Sequence, residues 1–125
     1  MTMKDPSILI VEDDGLIALH LQEKLQNAVY DVPDPVASGE EAIEYLKTSP
    51  IPDLIIMDIT LDGRLNGIET AREIRKISEI PIIFLSAHAD MKVLTSADMD
   101  SQTSFIPKPF NWPDLVQTVD KMLHR

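Results

Sequence analysis

"PDLIIMDIT", Pro52 to Thr60, decides the fold. Leu54 to Met57 are four consecutive apolar residues, followed by Asp58 and Ile59. An unbroken apolar run of this length reads as a strand covered on both faces, the usual state of strands in a parallel sheet. The same run carries a carboxylate, Asp58, at its C-terminal end, where burial is costly unless something compensates the charge.

Outward from this strand the chain alternates between two kinds of segment. "SILIVE" (Ser7–Glu12) is a short apolar run, and Asp14 to Ala28 places Ile17, Leu21, Leu25 and Ala28 on one helical face. "YDVPDPVA" (Tyr30–Ala37) is a weaker strand, demoted by Pro33 and Pro35 towards a sheet edge or an irregular segment. Ser38-Gly39-Glu40-Glu41 has the S-x-x-E form of a capping box and opens a helix through Lys47. Beyond Asp58, Asn66 caps a helix running to about Ser78, and "PIIFLS" (Pro81–Ser86) is a fourth strand. Asp90 to about Met99 is a modest helix, and "TSFIP" (Thr103–Pro107) a short fifth strand. Asn111 starts a last helix whose apolar stripe is Leu115, Val116, Val119, Met122 and Leu123. The order βαβαβαβαβα predicts an α/β fold, a parallel sheet with helices on both faces. Ligands in such folds sit outside the C-terminal ends of the strands.

Composition narrows the class. With 125 residues and 44% hydrophobic content, the chain reads as one domain, residues 1–125, with a single core. Cysteine is absent, which excludes disulfides and thiolate chemistry. No apolar run approaches the ~18 residues of a membrane span, and "MTMKDPS" lacks the apolar core of a signal peptide. A cytoplasmic protein without membrane contact is the expectation. The net charge of −10 argues against direct nucleic-acid binding and favours cations or basic partners.

The reactive residues fall at strand ends: Glu12-Asp13-Asp14 after the first strand, Asp58 at the third, Ser86 at the fourth and Lys108 after the fifth. In a parallel sheet those ends share one edge. Two like charges ~4 Å apart repel by about 4 kcal/mol at an effective dielectric of about 20. A domain stable by only about 5–15 kcal/mol must relieve several such terms by protonation, a lysine or a cation. Oxygen-only ligands suit Mg²⁺. A cation, a lysine, a hydroxyl and a carboxylate are also what phosphoryl transfer to an aspartate requires.

Taken in order, "ILIVEDD", "PDLIIMDI", "PIIFLSA" and "FIPKPF" make the chain similar, over nearly its whole length, to the receiver domain of two-component response regulators. The resemblance implies a (βα)5 doubly wound, flavodoxin-like fold with a five-stranded parallel sheet in the order 2-1-3-4-5. It implies that Asp58 is the phosphoacceptor, taking its phosphoryl group from a histidine kinase or phosphotransfer protein. Glu12 and Asp13 would hold Mg²⁺ (or Mn²⁺) with Asp58 and the backbone carbonyl of Thr60. Ser86 would bond a phosphoryl oxygen, Lys108 would pair with it, and Phe105 falls at the aromatic switch position. The Lys108–Pro109 bond is expected to be cis. The loop "ITLDGRLNGIE" departs from the family's common Met-Pro pattern and is longer; Ser86 stands for the commoner Thr, and Phe105 lacks a hydroxyl.

The implied function is a phosphorylation-dependent switch rather than a turnover enzyme. Its readout face is the fourth helix, fifth strand and last helix, near Met91, Val93, Phe105 and Trp112. Output then passes to a downstream protein or to the rest of a longer regulator, and a homodimer stays open. Leu16 and Leu19 lie off the core face of the first helix and suggest a kinase-docking patch. Asp14 reads equally as pocket acid or helix cap, Arg64 as a solvated loop residue, and His20, His88 and His124 as scattered. Three rivals remain. A phosphatase of the haloacid dehalogenase type needs an acid where Thr60 stands. A degenerate receiver serving as a docking module would not need Glu12, Asp13, Asp58 and Lys108 together. A flavodoxin-like cofactor binder needs a phosphate loop where "EDDGL" stands.

Overall fold

The computed structural model describes residues 5–61, 63–86 and 102–124. In chain order they form β1 (Ile8–Val11), α1 (Gly15–Asn27), α2 (Gly39–Thr48), β2 (Leu54–Asp58), α3 (Gly67–Arg75), β3 (Ile82–Ser86), β4 (Thr103–Pro107) and α4 (Trp112–Leu123). The helix expected over Asp90 to Met99 lies outside the described residues, as do His88, Met91, Val93 and Arg125.

All strand pairings are parallel, in the order β1-β2-β3-β4. The segment expected as the second strand lies along the free edge of β1 but makes only two isolated bridges, Ser7 with Asp31 and Val11 with Val36. Pro33 and Pro35 remove the N–H groups a continuous ladder would need. The expected order 2-1-3-4-5 is thus kept, with its first position filled by an irregular edge.

Alternation along the strands divides the core into two layers. Leu9, Val11, Ile55, Met57, Ile82 and Phe84 pack with Ala42 and Leu46 of α2 and Ile68, Ala71 and Ile74 of α3. Ile8, Ile10, Leu54, Ile56, Ile83 and Leu85 pack with Leu21 and Leu25 of α1 and Leu115, Val119 and Met122 of α4. Both faces of β1, β2 and β3 are therefore covered, which is why those strands read as continuous apolar runs. Each buried Leu, Ile or Val contributes roughly 1.5–3 kcal/mol relative to exposure.

Helix starts follow side-chain chemistry. Asn66 caps α3 with a complete capping box: its side chain accepts from Glu69 N–H at 2.8 Å, and Glu69 accepts from Asn66 N–H at 3.1 Å. Ser38 caps α2 by accepting from Glu41 N–H, but the reciprocal bond goes one residue further out, from Ala37 N–H to Glu41 Oε2 at 3.1 Å. α3 stops at Arg75, short of the expected Ser78. Arg75 turns its guanidinium to the carbonyls of Ile80 and Gln102, tying the helix end to the starts of β3 and β4.

Candidate functional site

The C-terminal ends of β1, β2 and β4 bring Glu12, Asp13, Asp58 and Lys108 together. Glu12, Asp13 and Asp58 each offer a carboxylate oxygen, and these oxygens all lie within 4.8 Å of one another. Glu12 and Asp58 are 3% and 6% exposed. Lys108 Nζ donates to Asp58 Oδ2 at 3.2 Å. The other Asp58 oxygen, Oδ1, accepts from the N–H of Thr60 at 3.0 Å.

Glu12 carries the electrostatic cost of this crowding. Burial, then a hydrogen bond with Asp58 and repulsion from its charge, push the Glu12 carboxyl up to about 8, against weaker opposing contributions from Asp14 N–H and Lys108. Its Oε1 accepts from Asp14 N–H at 3.1 Å, whereas Oε2 is buried with no hydrogen-bond partner among the described residues. An orphaned buried carboxylate oxygen facing two further acids fits a hard divalent cation, which would satisfy that lone pair and reverse the repulsion. The cluster could hold a metal ion.

The other expected site residues divide. Ser86 is fully buried at the end of β3, and its carbonyl accepts from Lys108 N–H at 2.7 Å, so the two residues are joined through the backbone. Phe105 lies beside Phe84 in the β3–β4 register, half-buried against the core layer of α2 and α3. The Lys108–Pro109 bond is cis, as expected. Asp14 is the cap of α1, accepting from Leu16 and Ile17 N–H at 3.0 and 3.2 Å. Trp112 opens α4 with its ring edge-on to Phe110, centroids 5.5 Å apart. His20 is exposed and lines, with Ile17, Lys108, Phe110 and Trp112, a cavity of about 460 Å³ beside the site. His124 pairs with Asp120 at 3.2 Å on the last turn of α4.

Two residues that sequence reasoning did not single out shape the loop after Asp58. A Cβ on Gly67 would sit 2.1 Å from the Asp58 carbonyl oxygen and 2.8 Å from Ile59 Cα, so only glycine lets α3 begin against the acid's own backbone. Glu40, in the first turn of α2, accepts from the N–H groups of Arg64 and Leu65 at 2.9 and 3.0 Å. A G after an Asn cap was a visible cue for the first; nothing local marks the second, whose partners lie 24 and 25 residues on.

A sheet with these acids and this lysine at its C-terminal edge defines a class, and comparison with known proteins gives it its family. Residues 8–120 match the family model of the response regulator receiver domain. The chain belongs to that family, the phosphorylation-dependent switching module of two-component signalling. It is 31% identical over 118 residues to the transcriptional regulatory protein PdtaR of Mycobacterium tuberculosis, covering 94% of this chain and 57% of that protein. It is 33% identical over 116 residues to the chemotaxis protein CheY of Thermotoga maritima, covering 92% of this chain and 95% of that one. Apart from such short relatives, the chain spans about half the length of the curated proteins it matches. Among solved structures, the response regulator protein TrrA of Thermotoga maritima, in complex with Mg²⁺–BeF, is 34% identical with a TM-score of 0.82, covering 94% of this chain and 99% of that one. A putative response regulator of Chloroflexus aurantiacus is 31% identical with a TM-score of 0.83, covering 98% and 100%. No helix among the described residues is long and apolar enough to cross a membrane.

Proposed function

We propose that Asp58 is the phosphoacceptor of a single receiver domain and that Glu12, Asp13, Asp58 and the Thr60 carbonyl hold the Mg²⁺ (or Mn²⁺) the transfer requires. The observation that carries the reading is the contact of Lys108 Nζ with Asp58 Oδ2 at 3.2 Å beside the three-acid cluster. An Asp58 carboxylate oxygen forms the new P–O bond as the P–N bond of a partner's phosphohistidine breaks and the imidazole leaves with the electron pair. The cation, when bound, neutralises negative charge on the phosphoryl oxygens. Lys108 exchanges its bond to Asp58 for one to the phosphoryl group, and Thr60 N–H keeps the carboxylate oriented. Ser86, joined to Lys108 through its carbonyl, supplies a hydroxyl to a phosphoryl oxygen.

The switch is a population shift between two packings. Movement of Ser86 towards the phosphoryl group opens room for the half-buried Phe105 ring. The face around β4 and α4 reports the change to a downstream protein. The chain in this reading receives phosphoryl groups rather than turning over a substrate, and a cytoplasmic setting with a histidine kinase or phosphotransfer partner is consistent with the family. That the TrrA structure is a complex with Mg²⁺–BeF supports the cation assignment. The test is phosphorylation by a small-molecule donor such as acetyl phosphate with Mg²⁺, compared between the wild type and Asp58→Asn.

A further inference from the structure

The extended loop after Asp58 is held from outside. At its base, Gly67 N–H donates to the Ile59 carbonyl at 2.8 Å, closing the loop onto the strand that carries the acid. At its far side, the Glu40 carboxylate accepts from two successive backbone donors, Arg64 and Leu65 N–H. The fit is close: Gly63 adopts φ +111, and a Cβ there would lie 3.2 Å from Glu40 Oε2. Bonds from N–H groups, its own first among them, and from the Ser38 hydroxyl hold the Glu40 carboxyl below the usual carboxylate range.

The segment that leads into α2 runs beside the backbone of Glu12. Val36 accepts from Glu12 N–H at 3.0 Å and donates to Ile10 O at 3.0 Å. The short path from Val36 to Glu40 therefore links the backbone of Glu12 to the loop that carries Thr60. Close packing of Gly39 against Thr70 fixes the start of α2 against α3; a Cβ on Gly39 would fall 1.9 Å from Thr70 Oγ1. Buried Leu61 anchors the same loop in the core.

We infer that Glu40 is a positioning residue for cation binding and phosphoryl transfer: it clamps the loop after Asp58 so that Thr60 faces Glu12 and Asp13 at a fixed spacing. The inference rests on the reading of Asp58 as a phosphoacceptor with a cation beside it. It deepens that reading by explaining how a longer loop, without the proline pattern usual in the family, keeps its shape.

The test compares wild type, Glu40→Ala, Glu40→Gln and Glu41→Ala. Hydrogen exchange at Arg64 and Leu65 reports the clamp itself, and isothermal titration with Mg²⁺ reports its consequence. Glu41 lies on the same helical turn but bonds Ala37, not the loop, and controls for damage to α2. Glu40→Ala is expected to speed exchange at both amides and to weaken Mg²⁺ binding by up to roughly tenfold, the low end of what loss of a ligand's own partner costs, because Glu40 acts on Thr60 only through the loop. Glu40→Gln, which keeps a carbonyl acceptor, is expected to lose less, and Glu41→Ala to match wild type. Faster exchange in Glu40→Ala with Mg²⁺ affinity unchanged, or an equal loss in Glu41→Ala, would overturn the inference. A wild type that binds no Mg²⁺ at millimolar concentration would overturn the phosphoacceptor reading first, while the amide exchange would still report whether the clamp exists.

Discussion

Lys108 Nζ and Asp58 Oδ2 meet at 3.2 Å although fifty residues separate them in the chain, one following β4 and the other ending β2. The pair joins the basic and acidic halves of the site, and it is partly exposed, so its worth lies in orientation more than in stability. Lys108→Met is expected to fold and to retain Mg²⁺ binding while slowing phosphorylation of Asp58 by at least about tenfold, since one preorganised hydrogen-bond donor aimed at developing charge commonly contributes roughly 10²–10³ in rate. Rates measured with a small-molecule donor at saturating Mg²⁺ would check it; an unchanged rate would remove Lys108 from the chemistry.

Glu12 makes stability depend on pH in the absence of a cation. Its folded pKa of about 8 lies above the ordinary 4.5, so the folded state holds a proton that the unfolded state has released. The contribution is fully present below about 4.5 and is lost as pH rises to about 8. Chelator-treated protein should therefore melt at falling temperature across that window, and Glu12→Gln should flatten the slope. Added Mg²⁺ should raise the melting temperature, more at pH 8 than at pH 6, because binding must displace the proton. Thermal scans at several pH values with and without Mg²⁺ are the measurement.

Val29 follows α1 with φ +70, a left-handed conformation that a β-branched residue adopts at a cost of roughly 1–2 kcal/mol. Its side chain is exposed, so little packing is lost on removal. Val29→Gly is expected to raise the midpoint of thermal unfolding by a few degrees, corresponding to about 1 kcal/mol once the greater freedom of the unfolded glycine is subtracted. Denaturant unfolding at constant slope would show it as a higher midpoint.

Gly67→Ala should do the reverse. The added methyl meets the Asp58 carbonyl and the Ile59 Cα, both backbone, and neither can rotate away. A loss of about 1–3 kcal/mol is expected from overpacking of this kind, together with weakened Mg²⁺ binding because the displaced atoms belong to the acid's own peptide unit. Chemical denaturation and titration calorimetry separate the two effects.

Leu16 and Leu19 are 64% and 47% exposed on α1, and Leu19 lines a cavity with Glu12 and Asp13. If they dock the kinase, the double alanine variant slows transfer from the phosphohistidine and leaves phosphorylation by acetyl phosphate intact. Equal rates in both assays would reject the docking role.

The strands and the site were legible because each rests on a local pattern. The apolar runs of β1, β2 and β3 are buried on both faces, and the acids and lysine sit at positions the sheet brings to one edge. Helix caps at Ser38, Asn66 and Asn111 were equally plain, since the capping residue bonds an N–H group three positions on, whereas Asp14 read equally as a pocket acid and proves to be the cap of α1. What the sequence did not disclose depends on distant partners. Tyr30 to Ala37 has the composition of a poor strand, yet whether it pairs or merely touches β1 depends on the proline positions relative to the ladder. Arg75, the last residue of α3, reaches carbonyls at Ile80 and Gln102 that lie five and 27 residues on. Glu40 appeared in the sequence only as part of the Ser38–Glu41 helix start, because its partners, Arg64 and Leu65, lie 24 and 25 residues on.

The most direct measurement is intact mass after incubation with acetyl phosphate and Mg²⁺. One added phosphoryl group on the wild type, absent without the cation and absent from Asp58→Asn, is the predicted result. An unmodified wild type, or an Asp58→Asn variant that takes up the group as readily, would contradict the assignment of Asp58 as acceptor.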